Sequence, residues 1–274
     1  MSFETPDTIA AALAASGRKK LDLAWPARAA LGFLGGAFIA FGYLLALKVT
    51  AGTPKEWGGV VSLIGASVFP LGLILVLLAG AELVTGSMAA VVETFLARRA
   101  GAREVAVNLL VITGLNAMGA LFVAVVFGHV GGLTTSGPLA AAVTDAAGHK
   151  LAATTLQSFV SGIGCNWLVC LAVWLSLGAR DTAGRILGIW FPTMAFVAIG
   201  FQHSVANMFL LPAAALEGAV GWGHALANVA TVWCGNLVGG AVFVAGLYGV
   251  AYLRRPHDAD AGADVVVEAV SPRR

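Results

Sequence analysis

Gly200-Phe-Gln-His-Ser-Val-Ala-Asn-Met208 places a histidine, two amides and a serine in the middle of an apolar segment running from 185 to 217. Gly80-Ala-Glu-Leu-Val-Thr-Gly-Ser-Met88 interrupts a second long apolar segment, from 59 to 96, with a carboxylate and two hydroxyls. About 20 apolar residues at ~1.5 Å per residue cross the hydrocarbon core of a bilayer, so each segment is too long for one ordinary span. Non-helical backbone at membrane depth is tolerated only where protein buries it or a wet cavity receives it. The two interruptions therefore predict broken helices beside a site.

The composition around them agrees. Of the 274 residues, 59% are hydrophobic and 11% charged, against about 25% charged in soluble domains. Mean hydropathy is +0.88. So few charges cannot cover the surface of a water-soluble enzyme. The net charge of +2 comes with no basic stripe to neutralise phosphates, which removes nucleic acid as a partner. Cys165, Cys170 and Cys234 sit in apolar runs without metal-ligand spacing and read as small buried hydrophobes. No nucleophile–base pair or cofactor fingerprint stands out, so no enzyme, cofactor or metal is expected. An all-α, multi-pass protein of the lipid bilayer remains.

Six segments are long enough to span: approximately 29–49, 59–96, 104–128, 151–178, 185–217 and 224–252. They divide the chain into an N-terminal segment, 1–28, a six-helix transmembrane domain, 29–252, and a tail, 253–274. The N-terminal segment is mixed and polar, with no short apolar run ending at a small-residue cleavage site, so it does not read as a signal peptide. Its first 20 or so residues predict an amphipathic helix at the membrane interface, with Ile9 and Leu13 on one face. The tail is polar from Pro256 onward and reads as disordered. Arg18, Lys19, Lys20, Arg28, Arg98, Arg99, Arg103, Arg180, Arg185, Arg254, Arg255, Arg273 and Arg274 fall on one side of the spans. Of the 16 basic residues, only Lys48, Lys55 and Lys150 are left for the other. The excess of Lys and Arg on cytoplasmic segments puts both termini in the cytoplasm; the cell's inner (plasma) membrane is the expected location.

The two interruptions align at an offset of 120 residues: Gly80 falls on Gly200, Glu82 on Gln202 and Met88 on Met208. The same offset carries Asn116-Ala-Met-Gly119 onto Asn236-Leu-Val-Gly239. Each half then holds three spans, an odd number, so the second half is inverted relative to the first. Inverted repeats with a broken helix in each half place a permeation site near the midplane, at the repeat interface.

His203 is the residue that carries most information, because an ionisable side chain at membrane depth is costly and faces a bundle interior or cavity. It can donate to a passing anion and switch its proton near neutral pH. A core histidine bonded to a nearby carbonyl is the alternative; the break, the repeat and the neighbouring Gln202, Ser204 and Asn207 favour the pore. Thr85, in the matching break, can face His203 across the site. Glu82 is either a proton relay or a carboxylate that caps a half-helix or meets another subunit. Helix N-termini after each break favour an anionic or acidic solute over a cation. Lys150, before the fourth span, is either an interfacial snorkelling lysine or an electrostatic lure at the pore mouth.

Phe201-Gln-His-Ser-Val-Ala-Asn-Met-Phe209, Cys165-Asn-Trp-Leu-Val-Cys-Leu-Ala-Val-Trp174 and Ala81-Glu-Leu-Val-Thr-Gly86 resemble signatures of the formate/nitrite transporter family, and the likeness runs from about residue 20 to 252. The resemblance implies an aquaporin-like protomer with an inverted 3+3 repeat and broken second and fifth helices. It implies a homopentamer with one pore per subunit. It further implies a channel for small monovalent anions or their conjugate weak acids, such as formate or nitrite, with pH-dependent, proton-linked permeation. Carried over by position, the central histidine is His203, the opposing threonine Thr85 and the vestibule lysine Lys150; Asn166 and Asn207 are polar pore residues. Phe69, Leu73, Val169 and Phe196 correspond to one apolar constriction, and Leu83 and Val84 to another on the cytoplasmic side, Val84 being smaller than the Phe common there. The family usually has Glu before the histidine, and this chain has Gln202, which cannot relay protons as a carboxylate. A neutral small-solute channel, for water or glycerol, is the alternative function.

Overall fold

The computed structural model describes residues 3–253; the tail from 254 to 274 lies outside them. Among the described residues, six helical stretches are long and apolar enough to cross a membrane: Trp25–Thr50, Gly59–Gly80, Ala102–Val130, Thr155–Gly178, Thr182–Ile199 and Trp222–Leu253. Two shorter apolar helices, Val84–Leu96 and Ser204–Leu216, follow the second and fifth of them. The chain order is α1 (Pro6–Leu21), α2 (Trp25–Thr50), α3 (Gly59–Val68), α4 (Leu71–Ile74), α5 (Val84–Leu96), α6 (Ala102–Phe122), α7 (Gly137–Ala152), α8 (Thr155–Gly178), α9 (Thr182–Ile199), α10 (Ser204–Leu216) and α11 (Trp222–Gly240). π-helical turns extend α4 to Gly80 and α6 to Val130.

The breaks fall where glycine allows them. α4 and its extension end at Gly80 with φ 94°, and α9 ends at Gly200 with φ 89°, a left-handed conformation that a side chain would strain. After three intervening residues the chain is helical again, as α5 and as α10. Leu83 (φ −113°, ψ 123°) and His203 (φ −108°, ψ 120°) precede these two helices with nearly identical backbone. Both half-helices are apolar almost all round, and residues 84–91 and 204–211 are buried without exception, as expected of helices that stop inside protein.

Two asparagines hold the breaks open. Asn116 Oδ1 accepts the N–H of Val84 at 2.8 Å, while its Nδ2 donates to the carbonyls of Gly32 (2.7 Å) and Glu82 (2.8 Å). Asn236 Oδ1 accepts the N–H of Ser204 at 2.9 Å, and its Nδ2 donates to Gly162 O (2.8 Å) and Gln202 O (3.2 Å). Each asparagine supplies partners that an interrupted helix in lipid would otherwise lack. The three-bond pattern recurs in both halves, and α2 packs along α6 as α8 packs along α11. The fold is an inverted 3+3 repeat.

α1 begins with Pro6 at its first turn and ends with Arg18, Lys19 and Lys20 against the negative end of the helix dipole. Its apolar face, including Ile9, Leu13 and Leu21, is buried. That face meets protein rather than a membrane interface: α1 packs on α5, and Thr94 Oγ1 of α5 lies 2.8 Å from the carbonyl of Ala14. The amphipathic pattern predicts the helix but not what covers it, because a 3.6-residue stripe does not distinguish lipid from a neighbouring helix. α1 sits where α8 ends, with Glu4 N–H donating to Gly178 O at 2.8 Å. α7 leads directly into the start of α8, so α1 and α7 mark opposite faces.

Candidate functional site

His203 stands before the first turn of α10 and caps it. Its Nδ1 accepts the N–H of Ala206 at 3.1 Å, which leaves the ring proton on Nε2. Nε2–H in turn donates to Oγ1 of Thr85, 2.9 Å away on the second residue of α5. The tips of the two half-helices thus meet through one hydrogen bond between two buried side chains. The Thr85 hydroxyl, having accepted, keeps its own proton available for donation. Both half-helices direct the positive ends of their dipoles at this point.

A cavity of about 100 Å³ lies against the pair, lined by His203, Lys150, Asn207, Tyr43, Phe69 and Phe196 among others. A narrower gap shares His203, Phe69 and Phe196 and is walled by Ile39, Leu73, Leu83 and Val169; it has no room for a water molecule. Phe69 and Phe196 meet edge to face at 5.6 Å, and Phe196 stacks on the imidazole at 5.9 Å. The structure therefore brings Phe69, Leu73, Leu83, Val169 and Phe196 to one constriction at the histidine. Leu83, expected with Val84 at a separate cytoplasmic constriction, joins it. Val84 stands apart: its N–H is held by Asn116 and its side chain lies in the core.

Lys150 turns inward. Its ammonium donates to the carbonyls of Gly200 (3.3 Å) and Phe201 (3.2 Å), at the C-terminal end of α9, and reaches the cavity beside His203. Burial lowers the pKa of its ammonium from the ordinary lysine value. Among the described residues no carboxylate lies within ion-pair distance of it. This is a different placement from a lysine snorkelling to an interface.

Glu82 is the opposite case. Both of its carboxylate oxygens lie 2.9 Å from Nζ of Lys20, on the last turn of α1. It lines neither the cavity nor the gap, and it latches α1 to the first break. Gln202 is bonded on every side: Oε1 accepts from Asn207 (2.9 Å) and Asn228 (3.2 Å), and Nε2 donates to the Lys150 carbonyl and Ser158 Oγ, both at 3.3 Å. Asn207 gives its two N–H bonds to Gln202 and Asn228, and its Oδ1, which has no partner among the described residues, belongs to a residue lining the cavity. Asn166 acts one layer back. Its Nδ2 donates to Thr85 O at 3.1 Å and Asn236 O at 2.7 Å, fixing the backbone that presents the threonine. Asn228, Tyr43 and Ile39 are site residues that the sequence does not single out. Asn228 carries one signal, an amide inside an apolar span, and the tyrosine and isoleucine carry none.

The formate/nitrite transporter family model matches residues 7–250. The chain is similar to the transporter YrhG of Bacillus subtilis (strain 168), 54% identical over 93% of this chain and 96% of that one. It is similar to the formate channel BtFdhC of Bacillus thuringiensis, 44% identical over 93% of this chain and 98% of that one. A solved pentameric formate channel with formate bound matches with a TM-score of 0.71 and 29% identity, covering 88% of this chain and 99% of that chain.

Proposed function

From the premise that this chain belongs to the formate/nitrite transporter family, we propose that it passes formate or a similarly small monovalent acid across the plasma membrane, in proton-linked fashion, through one pore in each subunit of a homopentamer. The solved pentameric relative with formate bound supports the assembly and the solute class. The basic residues on the α1 side support a cytoplasmic position for that face and both termini.

One observation carries the reading: a cavity whose wall includes Lys150 and Asn207 reaches His203 of the His203–Thr85 pair, and the next space along has no room for water. Lys150, with no carboxylate to neutralise it, raises the local concentration of anion. The apolar gap excludes the bare anion, because stripping a charge of water in a low-dielectric passage costs several kcal/mol even after relaxation. A proton joined to the anion in the cavity removes that cost. Water supplies this proton more readily than His203 does, since Nδ1 is committed to Ala206 and a second ring proton would break the cap. His203 then acts as a fixed donor and holds Thr85, whose hydroxyl offers its hydrogen to the solute.

A neutral-solute channel would have no use for an unpaired lysine at its mouth. Proteoliposome swelling with formate and with glycerol, each at pH 5.5 and 7.5, tests the reading. Formate uptake that increases at the lower pH, with little glycerol entry, is expected; equal entry of glycerol at both pH values would overturn it.

A further inference from the structure

The inverted repeat allows the two ends of the pore to be compared position by position. Asn116 and Asn236 make the same three bonds in their halves. Two turns before them, on the buried faces of α6 and α11, stand Asn108 and Asn228. On the half-helices, Ser87 of α5 stands where α10 has Asn207. In the second half these side chains are joined, Asn207 Nδ2 donating to Asn228 Oδ1 at 2.8 Å. In the first half the serine side chain ends one atom sooner. Ser87 Oγ, Asn108 Nδ2 and Asn108 Oδ1 are all buried and none has a hydrogen-bond partner among the described residues; Asn108 is 2% exposed and Ser87 0%. Buried polar groups are nearly always satisfied, so a whole primary amide without protein partners calls for a bound molecule, water or solute.

We propose that Asn108, with Ser87, forms a binding site for an undissociated monocarboxylic acid at the α1 end of the pore. A primary amide with both ends free sets one N–H donor beside one C=O acceptor. An undissociated carboxylic acid is its complement: the acid O–H donates to Oδ1 while the acid carbonyl accepts from Nδ2. A carboxylate has no proton for Oδ1. The Ser87 hydroxyl, free to donate or accept, completes the set. Charge selection is not repeated here, because Lys20 at this end is neutralised by Glu82. The site rests on the weak-acid reading of the pore and names the protonation state met on the α1 side of the constriction.

Two measurements on the full-length protein test it. In the first, formate flux is followed in oriented proteoliposomes from each face, for the wild type, Asn108→Leu and Ser87→Ala. The half-saturating concentration from the α1 face should increase several-fold in Asn108→Leu and less in Ser87→Ala, with that from the α7 face unchanged. No change from either face, or equal changes from both, would overturn the site. In the second, formate at pH 4.5 should raise the melting temperature of the solubilised wild type more than that of Asn108→Leu, whereas at pH 7.5 the two should respond alike. Equal shifts at both pH values would mean that the amide holds water only, and would overturn the proposal. Because this readout does not need flux, it separates failure of the site from failure of the transport reading. If Asn108→Leu does not assemble, Ser87→Ala decides both measurements.

Discussion

The two breaks have nearly the same backbone and opposite chemistry. Gly80 and Gly200 turn the chain, and Asn116 and Asn236 hold the ends in the same way. At the next level the halves part. Before α5 stands Leu83, which walls the dry gap; before α10 stands His203, which caps its helix and bonds Thr85. Glu82 pairs with Lys20, whereas Gln202 brings no carboxylate to Lys150, whose side chain turns to the cavity. A single scaffold, used twice, yields one end with a lysine facing the cavity and another with its lysine paired to a carboxylate. Within the aligned breaks the difference lies in residue type, at the pairs 82/202 and 83/203.

The largest effect should follow from removing the chemical difference at the helix tips. His203→Phe makes both tips apolar, leaves Thr85 without its donor, and should reduce formate flux roughly a hundredfold, about 2.7 kcal/mol of barrier. The proposed pentamer should still elute intact on size exclusion. Flux at the wild-type level would show that the tips are equivalent after all. Thr85→Val should lower flux less, since the imidazole keeps its cap on Ala206.

Next comes the framework that the halves share. Asn116→Ala removes the acceptor of Val84 N–H and a donor to two carbonyls, and Asn236→Ala does the same at Ser204. Each unmet buried group costs ~1–3 kcal/mol. The two variants should therefore lose similar amounts of thermal stability, measured side by side in one detergent. A large loss in one and none in the other would deny the equivalence.

The shared framework is legible in the sequence because it depends on local features: long apolar runs, glycine where the helix must stop, and the 120-residue offset that carries Asn116 onto Asn236. His203 and Thr85 are legible because polar groups at membrane depth are costly and persist where a cavity or a buried partner receives them. The partners of Glu82 and Gln202 are not. Lys20 reaches Glu82 across 62 positions from a helix expected on lipid, and hydropathy carries no record of tertiary docking. Asn228 is a lone amide in an apolar span, and its bonds to Gln202 and Asn207 exist only once α10 and α11 are packed. Val84 shares a sequence neighbourhood with Leu83, but successive residues at a helix start point in different directions, and only Leu83 reaches the gap.

The smallest effect, and the finest test of the difference between the ends, concerns the two lysines. Lys150→Ala should lower formate uptake a few-fold at low substrate and leave it nearly unchanged near saturation, because a lure acts on local concentration rather than on the crossing. Added salt should narrow the gap between variant and wild type, since the Debye length shrinks from ~10 Å at 0.1 M to ~3 Å at 1 M. Lys150→Arg, which keeps the charge, should behave like the wild type in this assay. Lys20→Met should not change uptake at low substrate, because Glu82 already cancels that charge. It should instead lower the melting temperature, by leaving a buried carboxylate without its partner. If Lys20→Met reproduced the low-substrate defect of Lys150→Ala, the neutralising role of Glu82 would be lost, and the two ends would differ in side chain without differing in field.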